Sequence, residues 1–159
     1  MAAKSPPKGL RLEKLQPGHI PAILEIEKHA NAAPWSERSF ENELTHEHGV
    51  FLVAFIGADL VGYAGMWLVV DEAHITTVAV DPEFRRQGIA RRLMVELLAR
   101  AHDAGMLGAT LEVRAGNEAA IGLYEALGFV RSAVRRRYYP DNKEDAVVMW
   151  LYDLERALP

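Results

Sequence analysis

The sequence contains no cysteine, which excludes disulfide bridges, thiolate zinc sites and a cysteine nucleophile. It has no apolar run approaching the ~20 residues that span a bilayer, and its first residues, MAAKSPPKG, lack the apolar segment of a signal peptide. These absences are typical of a cytoplasmic protein. We expect a disordered leader at residues 1–9, followed by a single domain at residues 10–159.

The composition is that of an ordinary globular domain, since half of the 159 residues are apolar and a quarter are charged. The net charge of −4 disfavours binding to DNA or to an anionic membrane. We expect a monomer, although nothing in the sequence fixes the oligomeric state. Arginines cluster in two places, which leaves a phosphate-bearing ligand open: Arg85, Arg86, Arg91 and Arg92, and then Arg135, Arg136 and Arg137.

Apolar periodicity and turn residues predict elements in the order β-α-α-β-β-β-α-β-α-β-β. The predicted strands cover residues 10–15, 50–56, 60–70, 72–80, 109–115, 130–139 and 144–154. The predicted helices are 20–30, a segment capped by Ser36, a segment from Ile89 that stops at Gly105, and a segment capped by Asn117 that stops at Gly128. This order predicts an α/β domain with a mixed central sheet and helices on both faces.

The stretch VDPEFRRQGIARRLM joins a predicted strand tightly to a predicted helix. The first N–H groups of a helix have no partner within the helix, and the helix dipole places partial positive charge there. Gly88 and the small Ala90 allow a ligand to approach the backbone, so the segment is a candidate pyrophosphate cradle. It matches neither the P-loop nor the dinucleotide fingerprint. Taken alone, the segment is explained better by a capped helix with a solvated arginine face.

The stretch LEVRAGNEAAIGLYEALGF contains a candidate acid–base pair. Strand alternation places Glu112 on the face opposite Leu111 and Val113, and Tyr124 follows in the next helix. The carboxylate and the phenol are predicted to face one cleft. Two alternatives stay open here: Glu112 as a solvated strand residue, and Tyr124 as a core aromatic with a hydrogen-bonded hydroxyl.

Together, the two stretches resemble the GNAT superfamily of acetyl-CoA-dependent N-acetyltransferases, over about residues 10–153. The similarity is greatest to its ribosomal-protein-alanine N-acetyltransferases, through PWS, RRRYYP and EDAVVMWL. The chain departs from these in Gly116, where serine is usual, and in Ala90, where glycine is commoner. The two superfamily motifs, R/Q-x-x-G-x-G/A and N-x-x-A-x-x-x-Y-x-x-x-G-F, are met by Arg85, Gly88 and Ala90, and by Asn117, Ala120, Tyr124, Gly128 and Phe129.

The resemblance implies the GNAT fold, a mixed sheet of about seven strands with a V-shaped splay between its two central parallel strands. Those strands would contain Thr76–Val80 and Thr110–Arg114, with acetyl-CoA as co-substrate between them and no metal. Asn117 would contact the pantetheine region, a role compatible with capping its helix. The implied main-chain contacts to acetyl-CoA are Val78, Ala79 and Val80 for the pantetheine arm, and Arg86, Gln87, Gly88, Ile89, Ala90 and Arg91 for the pyrophosphate.

The resemblance also implies that Glu112 is the general base and Tyr124 the general acid of a direct transfer to the N-terminal alanine of a small-subunit ribosomal protein. The chemistry favours an α-amine, because a lysine amine is roughly 2.5 pKa units more basic and therefore about 3.4 kcal/mol harder to deprotonate. Acetylation of lysine, of broader N-termini or of a small amine remains open, as does a non-catalytic acyl-CoA sensor.

The remaining expectations concern the acceptor groove. Trp35, Glu72, Tyr138 and Tyr139 are implied to border it, with core packing or surface exposure as the alternative for each. His74 is not expected to bind a metal, since no partner His or Cys stands at ligand spacing. The run Arg135–Arg137 is either a solvated face or a contact for an acidic partner, such as a CoA phosphate or ribosomal RNA.

Overall fold

The computed structural model describes residues 7–158. Within that range the helices are α1 Ile20–Ala30, α2 Glu37–Glu43, α3 Ile89–Asp103 and α4 Glu118–Ala126. The strands are β1 Leu10–Lys14, β2 Gly49–Ile56, β3 Asp59–Val69, β4 Glu72–Val80, β5 Gly108–Arg114, β6 Val130–Arg135 and β7 Ala146–Leu151. Short 3-10 turns occupy Pro17–His19, Pro82–Phe84 and Leu154–Ala157. The predicted order of helices and strands is confirmed.

The strands form one seven-stranded mixed sheet in the order β1-β2-β3-β4-β5-β7-β6. β4 and β5 are parallel, while β5 and β6 each pair antiparallel with β7. The parallel register joins Glu72–His74 to Gly108–Thr110, whereas β4 continues to Val80 and β5 to Arg114. This topology confirms the predicted fold class and is consistent with the expected splay of the two strands.

Local capping chemistry sets the ends of several helices as predicted. The Ser36 hydroxyl accepts a hydrogen bond from the Ser39 N–H at 3.1 Å, and the Asn117 side chain accepts one from the Ala120 N–H at 3.2 Å. After α3, Gly105 adopts a φ of +85°, a conformation that is open to glycine at little cost. These caps confirm the predicted starts of α2 and α4 and the predicted stop after α3.

Two predicted strands are too long. The first was expected to reach Tyr139, but β6 ends at Arg135, and Arg137 then adopts a left-handed φ of +53°. That conformation breaks the extended backbone, and the Arg137 N–H is satisfied instead by the Asp145 side chain at 2.9 Å. The second was expected to cover residues 144–154, but β7 covers only Ala146–Leu151 and is therefore shorter at both ends.

The described residues form two compact units. The first contains the residues up to Trp67 together with Thr76–Leu97, and the second contains Leu68–Ile75 and the residues from Leu98 onward. The expectation of a single domain at residues 10–159 stays a prediction. Most of the expected leader, residues 1–6, lies outside the described residues, and Pro7 accepts a backbone hydrogen bond from Leu10 at 3.1 Å.

In the first unit, the apolar face of α1 packs on β2 and β3. Ile23, Phe40 and Tyr63 are fully buried in this core, and each buried side chain of this size contributes roughly 1.5–3 kcal/mol to stability. In the second unit, β5 buries Ala109, Leu111 and Val113 on one face. The alternate residues of β5, which include Glu112, therefore occupy the opposite and less buried face.

Across the described part of the chain, no helix combines the length and apolar character needed to cross a membrane.

Candidate active site

Glu112 is held from several sides within the second unit. Its side chain is 23% exposed, so the carboxylate is enclosed but still open to a small group. The Tyr138 hydroxyl donates a hydrogen bond to Oε2 at 2.9 Å, and Arg135 Nη1 lies 3.4 Å from Oε1. His74 Nε2, from the neighbouring strand β4, lies 4.0 Å from Oε1. A carboxylate has about four acceptor positions, so these contacts leave room for a further donor.

Tyr138 and Arg135 contact the Glu112 carboxylate directly, which the sequence did not indicate. Tyr138 was expected only to border the acceptor groove, and Arg135 to be solvated or to face an acidic partner. In the structure the Arg135 guanidinium lies over the Tyr138 ring, 4.3 Å from its centroid, and both side chains reach Glu112. The hydrogen bond to Glu112 raises the pKa of Tyr138, so its phenol remains a donor at neutral pH.

Tyr124 is almost fully buried on α4. Burial, with a smaller contribution from Tyr139, raises the pKa of Tyr124 to about 12. The phenol therefore keeps its proton at any pH below roughly 11, as a proton donor requires. Burial likewise raises the pKa of Tyr139; the Arg114 guanidinium opposes this shift, and the Glu112 carboxylate adds to it. Tyr139 therefore interacts electrostatically with Tyr124 and, separately, with Glu112.

The loop between β6 and β7, residues 136–145, is fixed to the end of β5 by Arg114. The Arg114 guanidinium forms two hydrogen bonds with the Asp141 carboxylate, at 3.1 and 3.2 Å, and lies 4.0 Å from the centre of the Tyr139 ring. Glu144 accepts a hydrogen bond from the Gly116 N–H at 2.8 Å. That N–H lowers the pKa of Glu144, and Arg114 acts in the same direction, so the carboxylate is charged at neutral pH.

The residues implied to bind acetyl-CoA through their main chain lie in the first unit. After β4, the Asp81 carboxylate accepts a hydrogen bond from the Glu83 N–H at 3.0 Å and caps the turn Pro82–Phe84. The next segment has two left-handed residues, Arg86 at φ +63° and Gly88 at φ +80°. A non-glycine residue in this conformation is strained, and such strain concentrates at functional sites.

The left-handed turn leads directly into α3, which begins at Ile89. The first amides of this helix have no partner within the helix, and they lie at the positive end of its dipole. Glycine in the preceding position leaves no Cβ between this backbone and a ligand. This geometry is compatible with an anionic pyrophosphate group, and the contacts implied for Arg86–Arg91 stay a prediction.

The other expected acceptor residues are placed separately. Trp35, in the first unit, is half-buried against Phe40, and its backbone N–H donates to the Glu27 carboxylate at 2.8 Å. Glu72, in the second unit, is exposed at the start of β4. Their shared role in one groove stays a prediction. Among the described residues, no cluster of three His, Asp or Glu side chains could hold a metal ion.

Arg114 and His74 are contacts of the site that sequence reasoning did not assign. Arg114 stands two residues after Glu112 in the same strand, so alternation places both on one face. The two-residue spacing could therefore have indicated that Arg114 lies near the site. His74 gave no such signal, because its approach to Glu112 depends on the pairing of His74 with Thr110 between β4 and β5.

Comparisons with known proteins agree with this architecture. The model of the Acetyltransferase (GNAT) family matches residues 20–129. The chain is 39% identical over 142 residues to the [ribosomal protein bS18]-alanine N-acetyltransferase of Escherichia coli K12, covering 88% of this chain and 95% of that protein. It is also 39% identical over 132 residues to the N-alpha-acetyltransferase RimI of Mycobacterium tuberculosis H37Rv, covering 80% and 82% respectively.

Among solved structures, the chain is similar to the ribosomal-protein-S18-alanine N-acetyltransferase from Escherichia coli. The TM-score is 0.83 at 37% identity, and the match covers 91% of this chain and 94% of that one. Glu112, Tyr124 and the turn from Arg86 to Arg91 all lie within the residues matched by the family model.

Proposed function

Because this chain belongs to the acetyltransferase (GNAT) family and is an acetyl-CoA-dependent N-acetyltransferase, we propose that its acceptor is the N-terminal α-amine of a protein, with the N-terminal alanine of ribosomal protein bS18 preferred. The name of the Mycobacterium tuberculosis relative, an N-alpha-acetyltransferase, supports an α-amine. The name of the Escherichia coli relative supports the N-terminal alanine of bS18. The observation that supports it most directly is the Glu112 carboxylate, partly enclosed and oriented by Tyr138 and Arg135.

Glu112 acts as the general base in this proposal. An α-amine has a pKa of about 7.7–8.0 and is mostly ammonium at pH 7, so its lone pair must be released before attack. Glu112 removes that proton, directly or through one water. Tyr138 donates to Oε2 and Arg135 approaches Oε1, and these two contacts fix the orientation of the carboxylate. Acetyl-CoA supplies the acetyl group as a thioester.

The other residues hold the co-substrate and complete the proton transfers. The amides of Arg86–Arg91 would bind the pyrophosphate, and the main chain of Val78–Val80 would pair with the pantetheine arm. Asn117 would contact the same arm while its Oδ1 caps α4. The neutral amine forms the new C–N bond, and the C–S bond breaks as Tyr124 gives its proton to the departing thiolate. Tyr124 then takes up the second proton of the attacking nitrogen, and its raised pKa keeps the phenol protonated for the next turnover. With a ribosomal acceptor, we propose that the reaction takes place in the cytoplasm.

A panel of amines tests the acceptor. A peptide beginning Ala-Arg is expected to release CoA, whereas the same peptide with a blocked α-amine and an added internal lysine is expected to release at least ~10-fold less, since the lysine amine is roughly 2.5 pKa units more basic. CoA release is followed with a thiol reagent, which the cysteine-free protein does not consume. Faster turnover of the blocked peptide or of a polyamine would reassign the acceptor. Acetyl-CoA binding without turnover of any amine would indicate a sensor.

Tyr124→Phe is expected to lower kcat by roughly 10²-fold, the lower end of the range for a single general acid. Since the pKa of Tyr124 is raised to about 12, the wild-type phenol stays protonated from pH 7 to 10. The deficit of the variant should therefore be constant across that range, which a pH–rate profile measures. A deficit that disappears above pH 9, or a variant as active as wild type, would remove Tyr124 from the role of acid.

A further inference from the structure

Arg114 lies on the same face of β5 as Glu112. Its side chain contacts the β6–β7 loop, residues 136–145, rather than Glu112. The side chain is only 18% exposed. Besides the two hydrogen bonds to Asp141, Nη1 lies 3.3 Å from the Asn142 side-chain oxygen and 3.4 Å from Glu144 Oε1. A planar guanidinium with five fixed donors suits this set of partners, while a lysine ammonium does not.

The same loop closes on itself around these contacts. The Tyr139 N–H donates to the Glu144 carbonyl at 3.2 Å, and the Lys143 N–H donates to the Tyr139 carbonyl at 2.9 Å. Glu144 is in turn bound to the Gly116 N–H, just beyond β5. The loop is thus fixed to the end of β5 at two points, by Arg114 and by Gly116.

Tyr138 links this anchored loop to the proposed base. Its ring packs edge-on against Tyr139, with centroids 5.1 Å apart, and its hydroxyl donates to Glu112. Arg114 stacks on the other tyrosine of the pair, Tyr139. We infer that Arg114 is a positioning residue, which holds the β6–β7 loop so that Tyr138 orients the Glu112 carboxylate. The inference rests on the proposed role of Glu112 as base.

The test compares Arg114→Lys, Tyr138→Phe and the double variant in a mutant cycle. Arg114→Lys keeps the positive charge but loses the two parallel bonds to Asp141 and the flat stacking on Tyr139. Each single variant is expected to lower kcat/KM for the Ala-Arg peptide about 10-fold, the scale of one hydrogen bond to a charged group. If Arg114 acts through Tyr138, the double variant should also lose about 10-fold, not about 100-fold, because the two changes remove one effect.

Arg131→Lys is the matched control, since Arg131 on β6 pairs with Glu125 at 3.7 Å and is exposed. It should retain wild-type kcat/KM. All variants should unfold within a few degrees of wild type and keep wild-type acetyl-CoA affinity. A multiplicative loss of about 100-fold in the double variant would show that Arg114 acts independently of Tyr138 and overturn the inference. An Arg114→Lys variant with wild-type kcat/KM would overturn it as well.

Amide hydrogen exchange separates this inference from the proposed function, since it requires no acceptor. In Arg114→Lys, the Tyr139 and Lys143 amides are expected to exchange at least ~10-fold faster, because local opening of the loop exposes them. Unchanged exchange would overturn the positioning role. If wild type acetylates no α-amine, the proposed acceptor fails, and faster exchange in the variant still supports the anchoring of the loop; the cycle is then measured with the amine that is acetylated.

Discussion

Glu112→Gln is expected to lower kcat for the Ala-Arg peptide by about 10²–10⁴ at pH 7, the usual contribution of a general base. The amide has the shape of the carboxylate, and its oxygen can still accept the Tyr138 hydroxyl, but it cannot take up a proton. Acetyl-CoA affinity should be unchanged, since the contacts to the co-substrate are proposed for the main chain of Val78–Val80 and Arg86–Arg91. Single-turnover kinetics and acetyl-CoA titration measure the two quantities separately.

The pH dependence sharpens this prediction. Below pH 8 the α-amine is mostly ammonium, so the variant depends on the small fraction that is already neutral. Above pH 8 the amine loses its proton to solvent, and the deficit of Glu112→Gln relative to wild type should narrow as the pH rises towards 9. A deficit that stays constant or widens would mean that Glu112 does not deprotonate the amine.

Glu125→Gln is the matched control for this experiment. Glu125 also pairs with an arginine of β6, Arg131, but the pair is exposed and an exposed pair contributes little. The control should therefore retain wild-type kcat. Equal losses in Glu112→Gln and Glu125→Gln would point to a general effect of charge on the protein and remove Glu112 from its role.

The parts of the fold that follow from short-range chemistry could be predicted from the sequence. Asn117 caps α4 through the N–H of Ala120, three residues ahead, and Ser36 caps α2 in the same way. Alternation alone put Glu112 on the face opposite Leu111, because successive strand residues point to opposite faces. Each of these inferences needed only a few neighbouring residues.

Contacts made across strands could not be predicted, since they depend on strand order and register. Tyr138 reaches Glu112 only because β6 and β7 follow β5 in the sheet, with Glu112 paired to Val148. Periodicity indicates which face a residue occupies but not which strand lies beside it. The end of β6 was missed for a related reason: Arg137 takes a left-handed conformation that nothing in the local sequence demands, and Asp145, eight residues later, satisfies its N–H.

Glu27 was missed because charge on a helix usually indicates a solvated face. The apolar positions of α1 were recognised, but Glu27 lies beside them and is only 1% exposed. Its carboxylate accepts hydrogen bonds from the Asn31 side chain at 3.1 Å, from the Trp35 N–H at 2.8 Å and from the Tyr63 hydroxyl. Burial, and then Glu27 itself, raise the pKa of Tyr63 well above its usual range, so the phenol remains a donor to this carboxylate.

Glu27→Ala is expected to destabilise the protein by about 3–5 kcal/mol. Removing the carboxylate leaves the buried Tyr63 hydroxyl without its acceptor, which costs roughly 1–3 kcal/mol, and the half-buried Trp35 backbone N–H without its acceptor, which costs less. The lost side chain also leaves a cavity in the core that contains Ile23 and Phe40. Urea unfolding measures the loss as a lower midpoint at an unchanged slope.

Tyr63→Phe and Glu25→Gln calibrate this result. Tyr63→Phe removes one of the three donors and leaves the carboxylate two, so it should cost about 1–2 kcal/mol, less than the loss of the acceptor itself. Glu25 lies two residues before Glu27 on α1, but it is exposed and forms an exposed ion pair with Lys28, so Glu25→Gln should unfold at the wild-type urea concentration. Unfolding of Glu27→Ala at the wild-type midpoint would show that this buried carboxylate contributes no net stability, however many donors it binds.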